Sequence, residues 1–215
     1  VSRLTLYSYY RSSAAYRVRI VLNLKGLEYN AIPVDLLTIG ENDGEYRDVN
    51  PQGFVPTLKD IQRLFHQSLA ISEYLEETYP EIPILPSVAR DRAQVRVLSQ
   101  MVACDIHPLN NLRVQDYLRE KLRASEEVVR EWYHHWIREG FEAIEALLER
   151  SIATGEFCHG DSPTLADACL VPQVYNARRY QCDVSAYPTI LRIEQNCLAL
   201  PAFRDAAPEN QPDAA

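Results

Sequence analysis

The chain has 215 residues, 47% hydrophobic and 24% charged, which is ordinary globular composition and enough for one or two domains with a sizeable core. A formal net charge of −8 argues against nucleic acid or an anionic membrane as partner, although a locally basic pocket can still take a small anion. No apolar run approaches the ~20 residues that a spanning helix needs, so no membrane span is expected.

The opening VSRLTLYSYY enters an alternating strand pattern at once, without a signal-peptide layout, and a cytoplasmic location is the expectation. SSAAYRVRIVLNLKG then reads as a helix with a serine cap, Val18, Val21 and Leu22 on one face, and Gly26 past its end. YNAIPVDL is a second strand, parallel to the first if the helix is a crossover. TIGENDGEYRDVN reads as a polar loop. NPQGFVPTLKD and RLFHQ form a hairpin turning at Asp60 to Gln62, and SLAISEYLEETYP is a helix burying Ile71, Tyr74 and Leu75. The order β-α-β, then β-β-α, predicts a compact unit with a mixed four-stranded sheet.

PEIPILP has three prolines in seven residues and reads as a linker. Beyond it the pattern is helical. ARDRAQVRVLSQMVACDIHPLNNLRVQDYLREKL is long, amphipathic and interrupted at Pro108. EEVVREWYHHWIREGFEAIEALLER spaces Trp132, Trp136, Phe141 and Ile144 near helical periodicity. TLADACLVPQVYNARRY opens with a capping box from Thr164 to Asp167. Shorter helices follow, and APENQPDAA reads as a frayed tail. The expected division is 1–82, a linker at 83–88, and a helical domain at 89–215. The five cysteines are odd in number, contain no CxxC pair and are not spaced as zinc ligands, so free thiols and no metal are expected.

Three places carry chemistry. Ser12 and Ser13 sit at a helix start, where unpaired N–H groups and a partial positive charge favour an anion. One hydroxyl can cap the helix while the other donates to a thiolate; capping alone is the alternative. Val55-Pro56 suggests a cis peptide, and such a bend would expose the N–H and C=O of Val55 to an extended peptide. Gln67 and Ser68 lie at another helix start, suited to a carboxylate. A thiol, a peptide backbone and a carboxylate together describe glutathione.

The motifs SSxxxRVRI, NPQxxVPTL, HQSLAIxEYLEE, LADxCLVPQV and QPD resemble the zeta class of the glutathione transferases over essentially the whole chain. That class includes the glutathione-dependent isomerases of maleylacetoacetate and maleylpyruvate. The resemblance implies a thioredoxin-like domain with the mixed sheet, an all-helical domain that closes over substrate, and a homodimer. It implies further glutathione contacts from Gln52, His107 and Asn111, with His107 alternatively polarising the substrate or serving only as a helix-kink residue. The family usually follows its two serines with Cys-Ser-Trp-Arg; here Ala14-Ala15-Tyr16-Arg17 stands there, leaving the sulfur of glutathione as nucleophile. Ser12 is then the expected thiolate stabiliser, with Ser13 second.

A small diacid that gains negative charge in the reaction needs fixed cations. The resemblance singles out Arg11, Arg113 and Arg179, with Arg178 a bystander. A transferase acting on α-halo acids would use the same thiolate. A non-enzymatic module would be expected to have degraded serine, Val-Pro and Gln-Ser sites, yet all three are intact. A disulfide reductase of the thioredoxin type would need a cysteine where Ala14 stands.

Overall fold

The computed structural model describes residues 3–35 and 43–214, and residues 36–42 of the second strand and polar loop read above lie outside them. The chain divides into two compact units, Val1–Ile84 with Leu198–Ala215, and Leu85–Cys197. The last eighteen or so residues thus pack with the first unit, whereas the sequence reading counted them with the helices.

The first unit is built on four strands in the order β2-β1-β3-β4. Strand β1 (Leu4–Ser8) is central; it pairs in parallel with β2 (Tyr29–Pro33) and antiparallel with β3 (Thr57–Asp60), which pairs with β4 (Arg63–His66). Alternation sets the register: Leu6 pairs with Ala31 on one side and Leu58 on the other, and both leucines are fully buried. Helix α1 (Ser13–Leu24) makes the crossover and α3 (Ser68–Thr78) packs beside it.

Two readings need correction here. Helix α2 (Asp43–Val49) occupies part of the supposed polar loop; it buries Tyr46, whose hydroxyl bonds to the Phe54 carbonyl at 2.8 Å and to Thr57 Oγ1 at 3.0 Å. One anchoring aromatic outweighs the turn-forming composition around it. In α3, Tyr74 is only half-buried, because its hydroxyl reaches the Asp60 carboxylate at 2.6 Å.

The second unit is helical: α4 (Ala89–Gln100), α5 (Leu112–Glu120), α6 (Glu126–Arg150), α7 (Leu165–Arg179) and most of α8 (Pro188–Ala199). Between α4 and α5 runs a π-helical segment, Met101–Ile106, closed by the His107 amide on the Val102 carbonyl at 2.9 Å. Pro108 has no N–H to continue an α ladder, and the wider turn comes just before it. The buried face of α6 is Tyr133, Ile137, Phe141 and Ile144, while Trp132 and Trp136 are half-buried at its margin. The tail is ordered as well. Helix α9 (Pro201–Arg204) and a 3₁₀ turn (Pro208–Asn210) pack against the first unit, with Phe203 and Ala206 fully buried.

Candidate active site

The site in the first unit starts with the α1 amino terminus. Ser12 is the N-cap: its backbone is extended and its Oγ accepts from the Ala15 amide at 3.2 Å. A hydroxyl that accepts in this way keeps its own proton to donate outward. The first turn holds no acid, so the positive end of α1 is not answered from within it. Ser12 is half-exposed and Ser13 buried, so capping and outward donation both fall to Ser12. Arg11 is exposed, its guanidinium 4.9 Å from the centre of the Tyr10 ring.

Val55 lies beside this terminus. Ala15 of the first turn, Val34, Tyr46 and Val55 form one buried apolar cluster. The Val55–Pro56 peptide is cis. The Phe54 carbonyl accepts from Tyr46 and from Asn50 Nδ2 at 2.7 Å, and Thr57 Oγ1 meets His66 Nδ1 at 3.1 Å. The N–H and C=O of Val55 have no hydrogen-bond partner among the described residues. An extended peptide would satisfy them as an added strand does.

The third element is the start of α3. Gln67 is its N-cap residue, with no capping bond from its side chain and φ 69°, a left-handed value that an L residue adopts at a cost and that often marks a functional site. Its Nε2 donates to Gln52 Oε1 at 2.8 Å, which brings these two sequence candidates together. Ser68, at the first helical position, is buried, and its Oγ accepts from Arg17 Nη1 at 3.3 Å.

Arg17 was missed by the sequence reading. Both Arg17 and Arg19 are almost completely buried, at 2% and 1% exposed. The signal was available: in AAYRVRIVLNL the arginines alternate with apolar residues on a helix too short of polar positions to offer a solvated face. Arg17 links α1 to the start of α3, so the thiol-type, peptide-type and carboxylate-type features adjoin one another.

In the second unit, Asn111 caps α5, accepting from the Arg113 amide at 3.2 Å. His107 ends the π segment and is half-exposed, and Arg113 is exposed. The preceding segment is anchored by Trp132 Nε1 on the Leu109 carbonyl at 2.8 Å and by Asn110 Nδ2 on the Tyr133 carbonyl at 3.2 Å. At the end of α7, Arg178 forms an ion pair with Glu194, whereas Arg179 stands 5.3 Å over the Tyr180 ring. Tyr180 itself stacks on Tyr133 at 3.9 Å.

All five cysteines are free. Burial pushes the Cys158 and Cys197 thiols far up and Cys182 to about 11, so none of these three is a ready nucleophile. Among the described residues no group of His, Cys, Asp and Glu is placed to hold a metal, and no helix is long and apolar enough to cross a membrane.

Both units have matches among known proteins. Residues 6–83 match the family described as Glutathione S-transferase, N-terminal domain, and residues 115–208 its C-terminal domain. A probable maleylacetoacetate isomerase of Vibrio cholerae is 49% identical over 213 residues, covering 98% of each chain. The holo structure of a maleyl pyruvate isomerase, a bacterial glutathione S-transferase of zeta class, superimposes with a TM-score of 0.95 at 45% identity, covering 98% of this chain and 100% of that one. A maleylacetoacetate isomerase from Methylobacterium extorquens, with malonate and GSH bound, superimposes with a TM-score of 0.94 at 40% identity over 98% and 99% of the two chains.

Proposed function

The chain belongs to the zeta class of the glutathione S-transferases, and from that membership we propose that it is a glutathione-dependent cis–trans isomerase of maleylacetoacetate or maleylpyruvate. The observation that carries the proposal is the open start of α1. The half-exposed Ser12 caps the helix through its oxygen and keeps a proton to donate, no acid stands in the first turn, and alanine stands where the family has cysteine. That site stabilises a thiolate and supplies none of its own.

The donor set fits glutathione. Val55 offers one N–H and one C=O to a peptide, and the start of α3 with Ser68, backed by the Arg17 guanidinium, offers an anion site for a carboxylate. Gln52 and Gln67 flank it, and we assign His107 and Asn111 to glutathione as well. When bound, glutathione supplies a sulfur nucleophile that adds reversibly to the cis double bond and leaves after rotation about it, so that it is regenerated.

The residues of the chain make that chemistry possible at neutral pH. A free thiol of pKa about 8.5 is only a few per cent ionised there. Ser12 donates to the sulfur anion, and the α1 terminus adds its field. Ser13, being buried, acts behind Ser12. Arg11, Arg113 and Arg179 are our assignments for the substrate carboxylates and the negative charge that develops during turnover; the malonate held by the Methylobacterium relative supports a dicarboxylate ligand. Arg178, engaged by Glu194, is left out of the site.

Incubation with a maleyl substrate should give the fumaryl isomer with glutathione undiminished. Stoichiometric loss of glutathione would place the chain instead among conjugating transferases acting on α-halo acids or other electrophiles. Parallel kinetics on maleylacetoacetate and maleylpyruvate choose between the two substrates, since a probable maleylacetoacetate isomerase lies at 49% identity and a maleylpyruvate isomerase at 45%. We further propose a cytoplasmic homodimer: the free thiols suit a reducing compartment, and sedimentation would report the dimer.

A further inference from the structure

The QPD motif near the carboxyl end has no part in the chemistry above, and its surroundings give it one. The turn that delivers Ser12 runs from Tyr9 to Ser12, closed by the Ser12 amide on the Tyr9 carbonyl at 2.9 Å. Among the described residues, every other bonded backbone group of this turn is held from far away in sequence or from inside α1. Asp213 Oδ2 accepts from the Tyr10 amide at 3.0 Å. The buried Arg19 donates through Nη2 to the Tyr10 carbonyl at 3.0 Å and through Nη1 to Ser8 Oγ at 3.0 Å and the Tyr9 carbonyl at 3.5 Å. Its Nε donates to the Ala206 carbonyl at 2.9 Å, so one guanidinium grips both the turn and the tail.

The tail is fastened along α1 as well. Tyr16 donates its hydroxyl proton to the Phe203 carbonyl at 3.2 Å, and Asn23 donates to the Ala202 carbonyl at 3.0 Å. Burial lowers Arg19 to about 10, still cationic at neutral pH, and Asp213 is among the groups that hold its charge in place.

We propose that Asp213 is a positioning residue for the thiolate site: by accepting from the Tyr10 amide, and with Arg19 fixing the Tyr10 carbonyl, it sets the direction in which Ser12 presents its hydroxyl. The tail is therefore part of the active-site scaffold although it touches no reacting atom. This rests on the reading of Ser12 as thiolate donor.

The test is Asp213→Ala beside Asp213→Asn, whose amide oxygen still accepts. In Asp213→Ala the pKa of enzyme-bound glutathione, read from thiolate absorbance, should rise by about one unit, since a tenfold smaller thiolate fraction corresponds to that shift. The KM for glutathione should stay within about twofold while kcat falls about tenfold, the pattern of an interaction needed in the transition state. In the glutathione-free protein, amide exchange at Tyr10 to Ser12 should quicken about tenfold, as expected on losing one hydrogen bond. Asp213→Asn should restore all three.

A folded Asp213→Ala with wild-type thiol pKa and exchange overturns the proposal, and so does an Asp213→Asn as impaired as the alanine variant. Should Asp213→Ala fail to fold, wild-type exchange decides. A Tyr10 amide exchanging as fast as exposed neighbours overturns the proposal, and a protected one supports it. A wild type that binds no glutathione overturns the site reading itself, and this inference with it.

Discussion

The principal helices of the two units begin in opposite ways. Helix α7 opens with Thr164 and Asp167: the carboxylate accepts from the Thr164 amide at 2.7 Å, the Thr164 hydroxyl at 2.8 Å and the Cys158 amide at 2.8 Å, and it is completely buried. Burial raises that carboxyl while the amides pull it the other way. Helix α1 opens with Ser12, neutral and half-exposed, with no acid behind it. A terminus closed by its own carboxylate is a lock for the fold. A terminus capped by a neutral hydroxyl keeps its field for an anion from outside.

The largest effect should come from breaking the lock. Asp167→Ala leaves two buried amides and a hydroxyl without an acceptor, each worth about 1–3 kcal/mol, and about 4 kcal/mol in sum is the expected loss. For a chain of this size that lowers Tm by roughly 10 °C. A melting curve shifted by only a degree or two would show that the α7 terminus is no more closed than that of α1.

Ser12→Ala tests the open terminus. Removing one donor to a developing anion typically costs about 100-fold in kcat. The same change removes a cap worth only about 1 kcal/mol of stability. Glutathione affinity should change far less, because Val55 and Ser68 are untouched. Ser13→Ala should be milder in activity, and if it proves the more damaging of the two, the roles of the serines are reversed.

The contrast also marks how far sequence reasoning reaches. The capping box, the serine start of α1, the Val55–Pro56 bend and the 25-residue span of α6 were all legible, because each is dictated by a few adjacent residues or one clear period. What failed depends on partners remote in sequence. The alternation around Arg17 and Arg19 signals that they are buried, but not their partners, since Ser68 and Ala206 are remote in sequence and the Tyr9–Ser12 turn is bonded only in the fold. The tail looked frayed because the bond between Asp213 and the Tyr10 amide spans 203 residues. On α6 the periodicity through Phe141 and Ile144 was legible, and both are buried, whereas the rest of the stripe runs through Tyr133 and Ile137, one residue on from tryptophans 132 and 136. Gly44 and its polar neighbours disguised α2, which Tyr46 anchors with Val49 packed beside it.

The arginines assigned to the substrate are tested by their charge. Arg113 and Arg179 are exposed, and Arg179 lies over an aromatic ring. Arg113→Leu and Arg179→Leu should each raise KM for the diacid about tenfold, the loss expected for a charge-assisted contact of ~1.5 kcal/mol. Kinetics on a maleyl diester should show little difference from wild type. Equal losses on ester and diacid would mean that these side chains act through folding, and the cations facing the substrate would have to be sought elsewhere.

Arg178 is engaged by Glu194, and its replacement should give the smallest effect. Its partner Glu194 is buried in α8, which raises the carboxyl, while Arg178 pulls it back down. Arg178→Leu should leave KM for the diacid within about twofold of wild type, because a side chain already engaged has little to offer a substrate. Stability should respond, and only in one pH range. Without Arg178 the folded-state pKa of Glu194 rises further above its unfolded value. Such a group favours folding while protonated and loses that contribution as pH rises through the folded pKa. The variant should therefore match wild type in acid, where Glu194 is protonated in both. It should fall below wild type as pH climbs from the wild-type pKa through its own, by at most about 1 kcal/mol because Arg178 is exposed. Thermal melts across that range decide it: a deficit independent of pH would mean that Arg178 contributes through packing alone, and a tenfold rise in KM would exchange its role with that of Arg179.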